Sequence, residues 1–106
     1  MDEAIAVADT PDRMRFEITV DGEVAGFAHY VRRGGRLIFV HTEIDARFEG
    51  RGLGSKLASK ALDLARRAGE PVVPLCPFIA SYIAKHPEYE DLVDKELLAH
   101  VDELPG

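Results

Sequence analysis

A lone cysteine lies between a short apolar run and a proline, where its thiol could take part in group transfer. Cys76 follows residues 72–75 and is the single cysteine of the 106-residue chain. Proline favours the first position of a helix, so Pro77 predicts a helix start with Cys76 at its N-cap. The positive end of a helix dipole stabilises a thiolate, which makes Cys76 a candidate nucleophile or acid. The alternative is a small buried side chain, since free cysteines are often packed in cores.

Two titratable side chains share one face of the apolar stretch 37–44. Strand alternation puts His41 and Glu43 on the same side as Phe39, near the end of the strand, where open α/β sheets tend to bind ligands. It assigns the other face to the core: Ile38, Val40, Thr42 and Ile44. Either His41 or Glu43 could remove a proton from an amine, and histidine is the residue type that titrates nearest neutral pH. The alternative is a hydrogen-bonded sheet histidine beside a solvated carboxylate.

A glycine-rich segment lies where this stretch gives way to a helical pattern. Residues 49–56 read Glu-Gly-Arg-Gly-Leu-Gly-Ser-Lys, with three glycines within five positions. The open backbone N–H groups and the dipole of a helix N-terminus bind anions, and glycine lets phosphate oxygens approach closely. Arg51 could add a charge and Ser55 a hydroxyl. The spacing matches neither the phosphate loop nor the dinucleotide fingerprint, so a plain connection is the alternative.

The elements before the glycine-rich segment predict an antiparallel meander. Alternating apolar residues predict strands over 14–20 and 23–31, followed by the apolar strand 37–44. Asp21-Gly22 and Gly34-Gly35 have the composition of tight turns between them. The strand 37–44 is so apolar and β-branched that we expect it in the interior of the sheet.

The elements after the glycine-rich segment predict a crossover helix, a short strand and two more helices. A helical pattern follows Gly54 and stops at Gly69, and residues 72–75 form a strand that pairs in parallel with 37–44. One further helix covers 78–86, and the last is amphipathic through its apolar residues: Leu92, Val93, Leu97, Leu98 and Val101. The predicted class is α/β of the α+β type, with a mixed, mostly antiparallel sheet.

The composition is that of one acidic globular domain. The chain is 46% hydrophobic, and 13 Lys and Arg against 19 Asp and Glu give a net charge of −6. We expect residues 13–106 to form a single domain, preceded by a loosely held segment over 1–12. The acidic balance argues against a nucleic-acid partner, and no signal peptide, apolar span of ~20 residues or metal-ligand spacing is present. We therefore expect a cytoplasmic protein without membrane association or bound metal.

The strand 37–44, the glycine-rich turn and the helix after it resemble the acetyl-CoA-binding motif of the GNAT superfamily of N-acetyltransferases. That motif is (R/Q)-x-x-G-x-(G/A), and Gly52 and Gly54 occupy its last fixed positions. Glu49 stands where arginine or glutamine is usual, which removes a common contact on the phosphate side. Arg51 could compensate for the lost contact.

Three further segments resemble the minimal, short-chain branch of that superfamily, the small N-acetyltransferase-domain-containing proteins: His41-Thr42-Glu43, 73–78 and 86–89. The similarity covers most of the chain, about residues 16–98. It implies a minimal acyl-CoA N-acyltransferase fold, with the sheet splayed between its fourth and fifth strands, the CoA pantetheine in the opening and the pyrophosphate on the glycine turn. The chain lacks the residues for the helices that larger members insert after their first strand, so the resemblance implies an acceptor site that is either open or built differently.

The resemblance also implies roles for particular residues. The pyrophosphate and pantetheine of acetyl-CoA would contact the turn and the strand end before it: Ile44, Asp45, Gly50, Arg51, Gly52, Leu53, Gly54 and Ser55. A stripe on the helix after Cys76 contacts the CoA tail or the acceptor, or else is a half-buried helix face: Phe78, Tyr82 and His86, with Lys85 adjacent. Cys76 would face the thioester, as a covalent acetyl relay or as proton donor to the departing thiolate, with His41 or Glu43 as the base.

These implications lead to one main hypothesis and two alternatives. The main hypothesis is an N-acetyltransferase that uses acetyl-CoA as co-substrate, without a metal, and acetylates a primary amine of a small molecule, peptide or protein, by direct attack or through Cys76. One alternative is a CoA-binding or protein-interaction module with the same fold and little turnover. The other, a thiol redox sensor, lacks a second cysteine to resolve an oxidised thiol.

Overall fold

Five strands form one mixed sheet, and the α-helices come after its fourth strand. The computed structural model describes residues 4–99, and the strands lie across the sheet in chain order: β1 (Ile5–Thr10), β2 (Arg15–Val20), β3 (Glu23–Arg33), β4 (Arg36–Ile44) and β5 (Val72–Pro74). The helices are α1 (Leu53–Ala68), α2 (Pro77–Lys85) and α3 (Lys95–Ala99), with 3₁₀ helices at Pro11–Arg13, Ala46–Phe48 and Pro87–Leu92. Strands β1 to β4 pair antiparallel, and β5 pairs in parallel with β4. The predicted class, a mostly antiparallel mixed sheet, is confirmed.

Tight turns close the meander as the sequence predicts. Asp21 and Gly22 join β2 to β3 with φ values of 50° and 85°, and Gly34 and Gly35 join β3 to β4 with φ values of 56° and 77°. Positive φ at both central residues is the turn geometry that matches the twist of two paired strands. These two turns therefore fix the order of β2, β3 and β4.

Helix α1 carries the chain from β4 to the parallel strand β5. Gly69 ends the helix in the left-handed conformation, with φ 68°, and its N–H donates to the carbonyls of Ala65 and Arg66. Strand β5 then pairs with the first half of β4, with Leu37 opposite Val72. The crossover helix, its glycine stop and the parallel pairing all agree with the prediction.

The core lies between one face of the sheet and the helices α1 and α2. Phe16 and Phe39 from the strands and Leu57 and Ile79 from the helices are at most 1% exposed. On the opposite face of β2, β3 and β4 the side chains are partly or fully exposed: Arg15, Glu17, Phe27, His29, His41 and Glu43. We call this second surface the open face. Within residues 4–99, every helix is too short or too polar to span a bilayer.

The predicted faces of β4 are wrong in one respect, because a bulge interrupts the alternation. The pairing of β3 with β4 skips Val40, which is an extra residue on β4. Such a residue shifts the period-two alternation by one position. Phe39 is therefore in the core, whereas we expected it to share a face with His41 and Glu43. His41 and Glu43 do share the open face, and the core side continues with Thr42.

Part of the N-terminal segment forms a strand, although the sequence predicts a loosely held tail over residues 1–12. Strand β1 pairs with β2 along its whole length. Asp9 of β1 accepts hydrogen bonds from Tyr30 and Arg32, and Arg32 also bonds Glu70. This network holds β1 against β3 and the loop before β5. The expectation is thus corrected for residues 5–10, while residues 1–3 lie outside the described part of the chain.

The predicted last helix begins later than expected. Pro87–Leu92 form a 3₁₀ helix, and α3 starts only after Asp94. The Asp94 carboxylate accepts from the N–H of Leu97 at 2.9 Å, and the Asp94 N–H donates to the Val72 carbonyl at 2.9 Å. Because Asp94 caps α3 and its N–H also bonds β5, one continuous helix cannot run through this residue. Val101, predicted on the same helix, lies outside the described residues.

Candidate active site

A groove opens between the glycine-rich turn, the end of β4 and the start of α2. It holds about 250 Å³, and its walls include seven of the predicted donor-binding residues together with Phe48 and Glu49: Ile44, Gly50, Gly52, Leu53, Gly54, Ser55 and Phe78. These residues come from three elements that are separated in the sequence. The fold thus gathers them around one cavity, which we call the donor groove.

Backbone conformation explains two of the glycines in the turn. Gly50 and Gly52 have φ values of 82° and 71°, in the left-handed region that favours glycine. A Cβ at either position would meet nothing within 4 Å, so the constraint is torsional and not steric. Gly52 is the N-cap of α1 and offers no capping side chain. The first N–H groups of α1 therefore remain available to an anion in the donor groove.

The third glycine makes room for an aromatic ring. A Cβ on Gly54 would lie 2.9 Å from Cζ of Phe78, well inside normal contact distance. The ring of Phe78, which is 42% exposed, therefore rests against the backbone of α1. It forms the apolar wall of the donor groove opposite the glycine turn.

Strand β4 continues beyond the point where its pairing with β5 ends. The last residue of β4 in the parallel ladder is Phe39. Farther along, the N–H of Asp45 donates to the carbonyl of Ala25 on β3 at 2.7 Å. Strand alternation therefore directs the backbone groups of Thr42 and Ile44 away from β3, toward the side that β5 has left. The sheet is splayed between its fourth and fifth strands, as the resemblance implies.

Cys76 lies where β4 and β5 separate. Its N–H donates to the carbonyl of Phe39 at 2.9 Å, and its Sγ lies 3.4 Å from Oγ1 of Thr42. It is the N-cap of α2, with Pro77 at the first helical position, as the sequence predicts. The cysteine is also 2% exposed and packs with the core residues. Its position at a helix start and its burial, which we treated as alternatives, occur together.

His41 and Glu43 lie on the open face, apart from the thiol. Nε2 of His41 is 3.7 Å from Oε1 of Glu43, and the two side chains are 60% and 62% exposed. The Phe27 ring and the imidazole meet edge to face, with 6.2 Å between the ring centroids. Thr42, between the two residues, instead contacts Cys76. The structure therefore brings His41 together with Glu43, and Cys76 together with Thr42.

Two predicted donor-binding residues lie beside the donor groove without being part of its described walls. Asp45 caps the 3₁₀ helix after β4, and the N–H and guanidinium of Arg47 hold the pKa of its carboxyl below the usual value. The guanidinium of Arg51 lies over the ring of Phe48, 5.3 Å from its centroid. Since Phe48 lines the groove, the positive charge of Arg51 lies next to one of its walls.

The rest of the predicted stripe on α2 is not among the residues that line the donor groove. Tyr82 and His86 stack on each other with 4.0 Å between ring centroids, and Tyr82 also meets Tyr89. The Tyr89 hydroxyl donates to Asp63 of α1 at 2.8 Å, and burial raises the pKa of this phenol. Lys85 is exposed in the last turn of α2. Within the described residues, Phe78 is the member of the stripe that lines the groove.

Two residues that shape the site were not predicted from the sequence. Phe48 is 8% exposed and lines the donor groove. An aromatic residue in a polar segment just before the glycines was a usable signal for it. Thr42 was assigned to the core, and its contact with Cys76 depends on the bulge at Val40, which no local pattern marks.

A mixed sheet opens beside a glycine-rich helix start, which is the arrangement that the resemblance to the N-acetyltransferases implies. A family model described as GCN5-related N-acetyl-transferase matches residues 15–92. The chain therefore belongs to the GCN5-related N-acetyltransferase family, and its function is of the acetyltransferase type. A search of curated proteins gave no match. Across residues 4–99, no three His, Cys, Asp or Glu side chains are grouped to hold a metal ion.

Proposed function

We propose that this protein transfers an acetyl group from acetyl-CoA to a primary amine. The observation that carries the proposal is the donor groove, in which a glycine-rich helix start, the free edge of β4 and the ring of Phe78 line one cavity in a member of this family. The helix start can bind the pyrophosphate of CoA. The pantetheine arm alternates amide and methylene groups, which can bond the free edge of β4 and pack on the ring of Phe78. Acetyl-CoA supplies the activated thioester.

The charge around the glycine turn supports an anionic donor. Residues 45–60 carry two carboxylates, Asp45 and Glu49, and four cationic side chains, although the chain as a whole has a net charge of −6: Arg47, Arg51, Lys56 and Lys60. Arg47 is paired with Asp45 and Glu23, so the excess positive charge comes from the other three cations. We place the pyrophosphate at the first turn of α1, within reach of Ser55, and the pantetheine along Ile44 and Asp45. The adenosine end then extends along α2 toward three residues: Tyr82, Lys85 and His86.

Two roles for Cys76 differ in where the acetyl group goes. In the first, Sγ attacks the thioester carbon, the acetyl group moves to Cys76, and CoA leaves with the proton of the cysteine; the amine then takes the acetyl group and Sγ regains a proton. In the second, the amine attacks the thioester directly and Cys76 gives its proton to the departing sulfur. The hydroxyl of Thr42, 3.4 Å from Sγ, supports either role, since it can donate to a thiolate or accept from a thiol.

The open face supports His41 or Glu43 as the base that activates the acceptor. Only a neutral amine attacks a thioester, so the ammonium must first lose a proton. Both side chains are mostly exposed and lie one residue on either side of Thr42, which contacts the thiol. We propose that one of these two side chains takes the proton directly or through water, while the other holds the first in position.

Intact-mass analysis with acetyl-CoA distinguishes the two roles of Cys76. Wild type and Cys76→Ala are incubated with acetyl-CoA without an amine, and Cys76→Ser serves as the variant of matched size. An acetyl adduct on wild type that is absent from Cys76→Ala supports the covalent relay. Release of CoA thiol only after an amine is added, without an adduct, supports direct transfer. If no adduct and no thiol release occur with any of several peptides and polyamines, the proposed activity is wrong.

A CoA-binding or interaction module with little turnover is the second candidate. Glu49 puts a carboxylate on the wall of the donor groove, where it opposes a pyrophosphate. Only the 3₁₀ helix Pro11–Arg13 lies between β1 and β2, so no inserted helix covers the acceptor side there. A rise in melting temperature with CoA, without thiol release in the presence of amines, would favour this candidate. For either candidate we propose a cytoplasmic location, where a lone cysteine stays reduced.

A further inference from the structure

The two edges of the sheet are completed differently. At the β5 edge, Val93 forms a parallel bridge with Val72, and the N–H of Asp94 donates to the Val72 carbonyl. Val93 and Asp94 therefore cover that edge at Val72. At the other edge, no strand among residues 4–99 lies beyond β1. A free edge presents unpaired N–H and C=O groups that can pair with a strand of another chain.

The backbone groups on the free edge of β1 belong to Ile5, Val7 and Asp9. The N–H of Asp21 donates to the carbonyl of Ala4 at 2.8 Å, so Ala4 faces β2. Backbone groups alternate in direction along an antiparallel strand, and the residues in step with Ala4 also face β2: Ala6, Ala8 and Thr10. The three residues between them direct their N–H and C=O groups outward.

Strand β1 lacks the features that usually protect a free edge. Natural edge strands carry outward charges, prolines or bulges. Strand β1 pairs with β2 in one continuous register and contains no proline or cation. Its one charged residue, Asp9, is paired with Arg32 at 2.8 Å. On the face of β1 that does not carry Asp9, the side chains of Ala6 and Ala8 are small and exposed. The edge is therefore regular and carries little exposed charge.

We propose that β1 pairs antiparallel with β1 of a second copy, with the two-fold axis at Val7. Residues whose backbone groups point outward must pair with one another. Val7 therefore lies opposite Val7 of the second copy, and Ile5 lies opposite Asp9 of the second copy. All outward groups are then used, in about six inter-chain hydrogen bonds. On the face that carries the alanines, Ala6 lies opposite Ala8 of the second copy, so no bulky or like-charged side chains are placed opposite each other there. The two sheets become one continuous sheet.

The dimer is weak, reversible and independent of donor binding. A ladder of six residues buries less than the roughly 1,200–2,000 Å² of a standard interface, and each copy has a net charge of −6. High protein concentration and salt that screens the repulsion therefore favour it. The donor groove lies at β4 and α1, across the sheet from β1. This inference consequently does not rest on the proposed function.

Sedimentation velocity of two charge variants tests this pairing. Ala6→Lys/Ala8→Lys and Ala6→Glu/Ala8→Lys differ only at residue 6, and in both the lysine introduced at position 8 lies opposite Glu17 of β2 within the same copy. In the dimer, the first variant opposes lysine to lysine twice and the second opposes glutamate to lysine twice. From about 20 μM to 1 mM in moderate salt, wild type is expected to shift toward the dimer, the first variant to stay monomeric, and the second to associate at least about threefold more tightly than wild type.

Amide exchange provides a second measurement that does not depend on the variants. The N–H groups of Ile5, Val7 and Asp9 are expected to exchange quickly in dilute wild type and to become protected as the concentration rises, whereas Ala6 and Ala8 stay protected throughout. The pairing is wrong if wild type remains monomeric over the whole range. It is also wrong if the two charge variants associate equally, because this register alone places residue 6 opposite residue 8.

Discussion

Replacing Gly54 by alanine should weaken donor binding while leaving the fold intact. The added Cβ would lie 2.9 Å from Cζ of Phe78 and 3.5 and 3.6 Å from the two Cε atoms. Carbon atoms in favourable contact are roughly 3.5–4.0 Å apart, so the tip of the ring must move outward by roughly 0.6–1 Å. Phe78 is 42% exposed, and its ring can move without opening the core. The substitution therefore displaces the apolar wall of the donor groove.

Gly54→Ala is expected to change the affinity for CoA much more than the stability of the fold. Alanine in a helix is favoured over glycine by up to about 1 kcal/mol, which offsets the cost of moving the ring, so the free energy of unfolding should change by less than about 1 kcal/mol. If the displaced ring loses roughly 50 Å² of contact with the pantetheine, about 1.3 kcal/mol of binding free energy is lost. This corresponds to a roughly tenfold rise in the Kd for CoA.

Calorimetric titration of CoA into a double-mutant cycle tests this reasoning. The cycle contains wild type, Gly54→Ala, Phe78→Ala and the double variant, and Gly54→Ala should cost nothing further once the ring is absent. Gly69→Ala is the control, because its strain falls at the other end of α1, where φ is 68°. It should lower stability without changing the Kd. Unchanged CoA affinity in Gly54→Ala, or additive losses in the double variant, would refute the role assigned to Phe78.

Three further predictions concern the strand end, the turn and the β1 network. A Cβ on Gly26 would lie 2.6 Å from the backbone oxygen of Glu43, so Gly26→Ala should lower the free energy of unfolding by about 2 kcal/mol in urea titrations, and an unchanged midpoint would contradict this contact. Glu49→Gln removes a carboxylate from the donor groove and should lower the Kd for CoA roughly two- to fivefold at low salt, with the gain disappearing near 1 M salt; a weaker affinity would contradict it. Burial and the hydrogen bond to Asp9 raise the pKa of Tyr30 to about 12, above its value of ~10 in the unfolded chain. The neutral phenol is thus the stabilising form, and stability that is complete below pH 10 should fall as the pH rises toward 12, less steeply in Tyr30→Phe, when unfolding is measured at pH 9 and 11.

The parts of the fold that could be predicted from the sequence are those set by nearby residues. Asp21-Gly22 needs only its own two torsions to form a hairpin turn, and Gly69 ends α1 through bonds to the preceding turn. The crossover to β5 follows from the length of the helical pattern and the handedness of such connections. Phe78 was identified for the donor groove because its position in the first turn after Cys76 is also a local property.

The parts that could not be predicted depend on residues far apart in the chain. The bulge at Val40 exists only in the pairing of β4 with β3, and it moved Phe39 into the core and brought Thr42 to Cys76. Strand β1 is held by the contacts of Asp9 with Tyr30 and Arg32, more than 20 residues away. Neither pattern is visible in a window of a few residues.

The most direct test of the donor groove is to map CoA binding by the chemical shifts of backbone amides. If the groove binds CoA, the resonances of Gly50, Gly52, Gly54 and Ser55 should shift most, followed by those of Thr42 and Ile44, with a single Kd for all of them. Resonances of β1, at the far edge of the sheet, should stay in place. No saturable shift at millimolar CoA, or shifts that lie outside the glycine turn and β4, would contradict the central claim that this groove holds the donor.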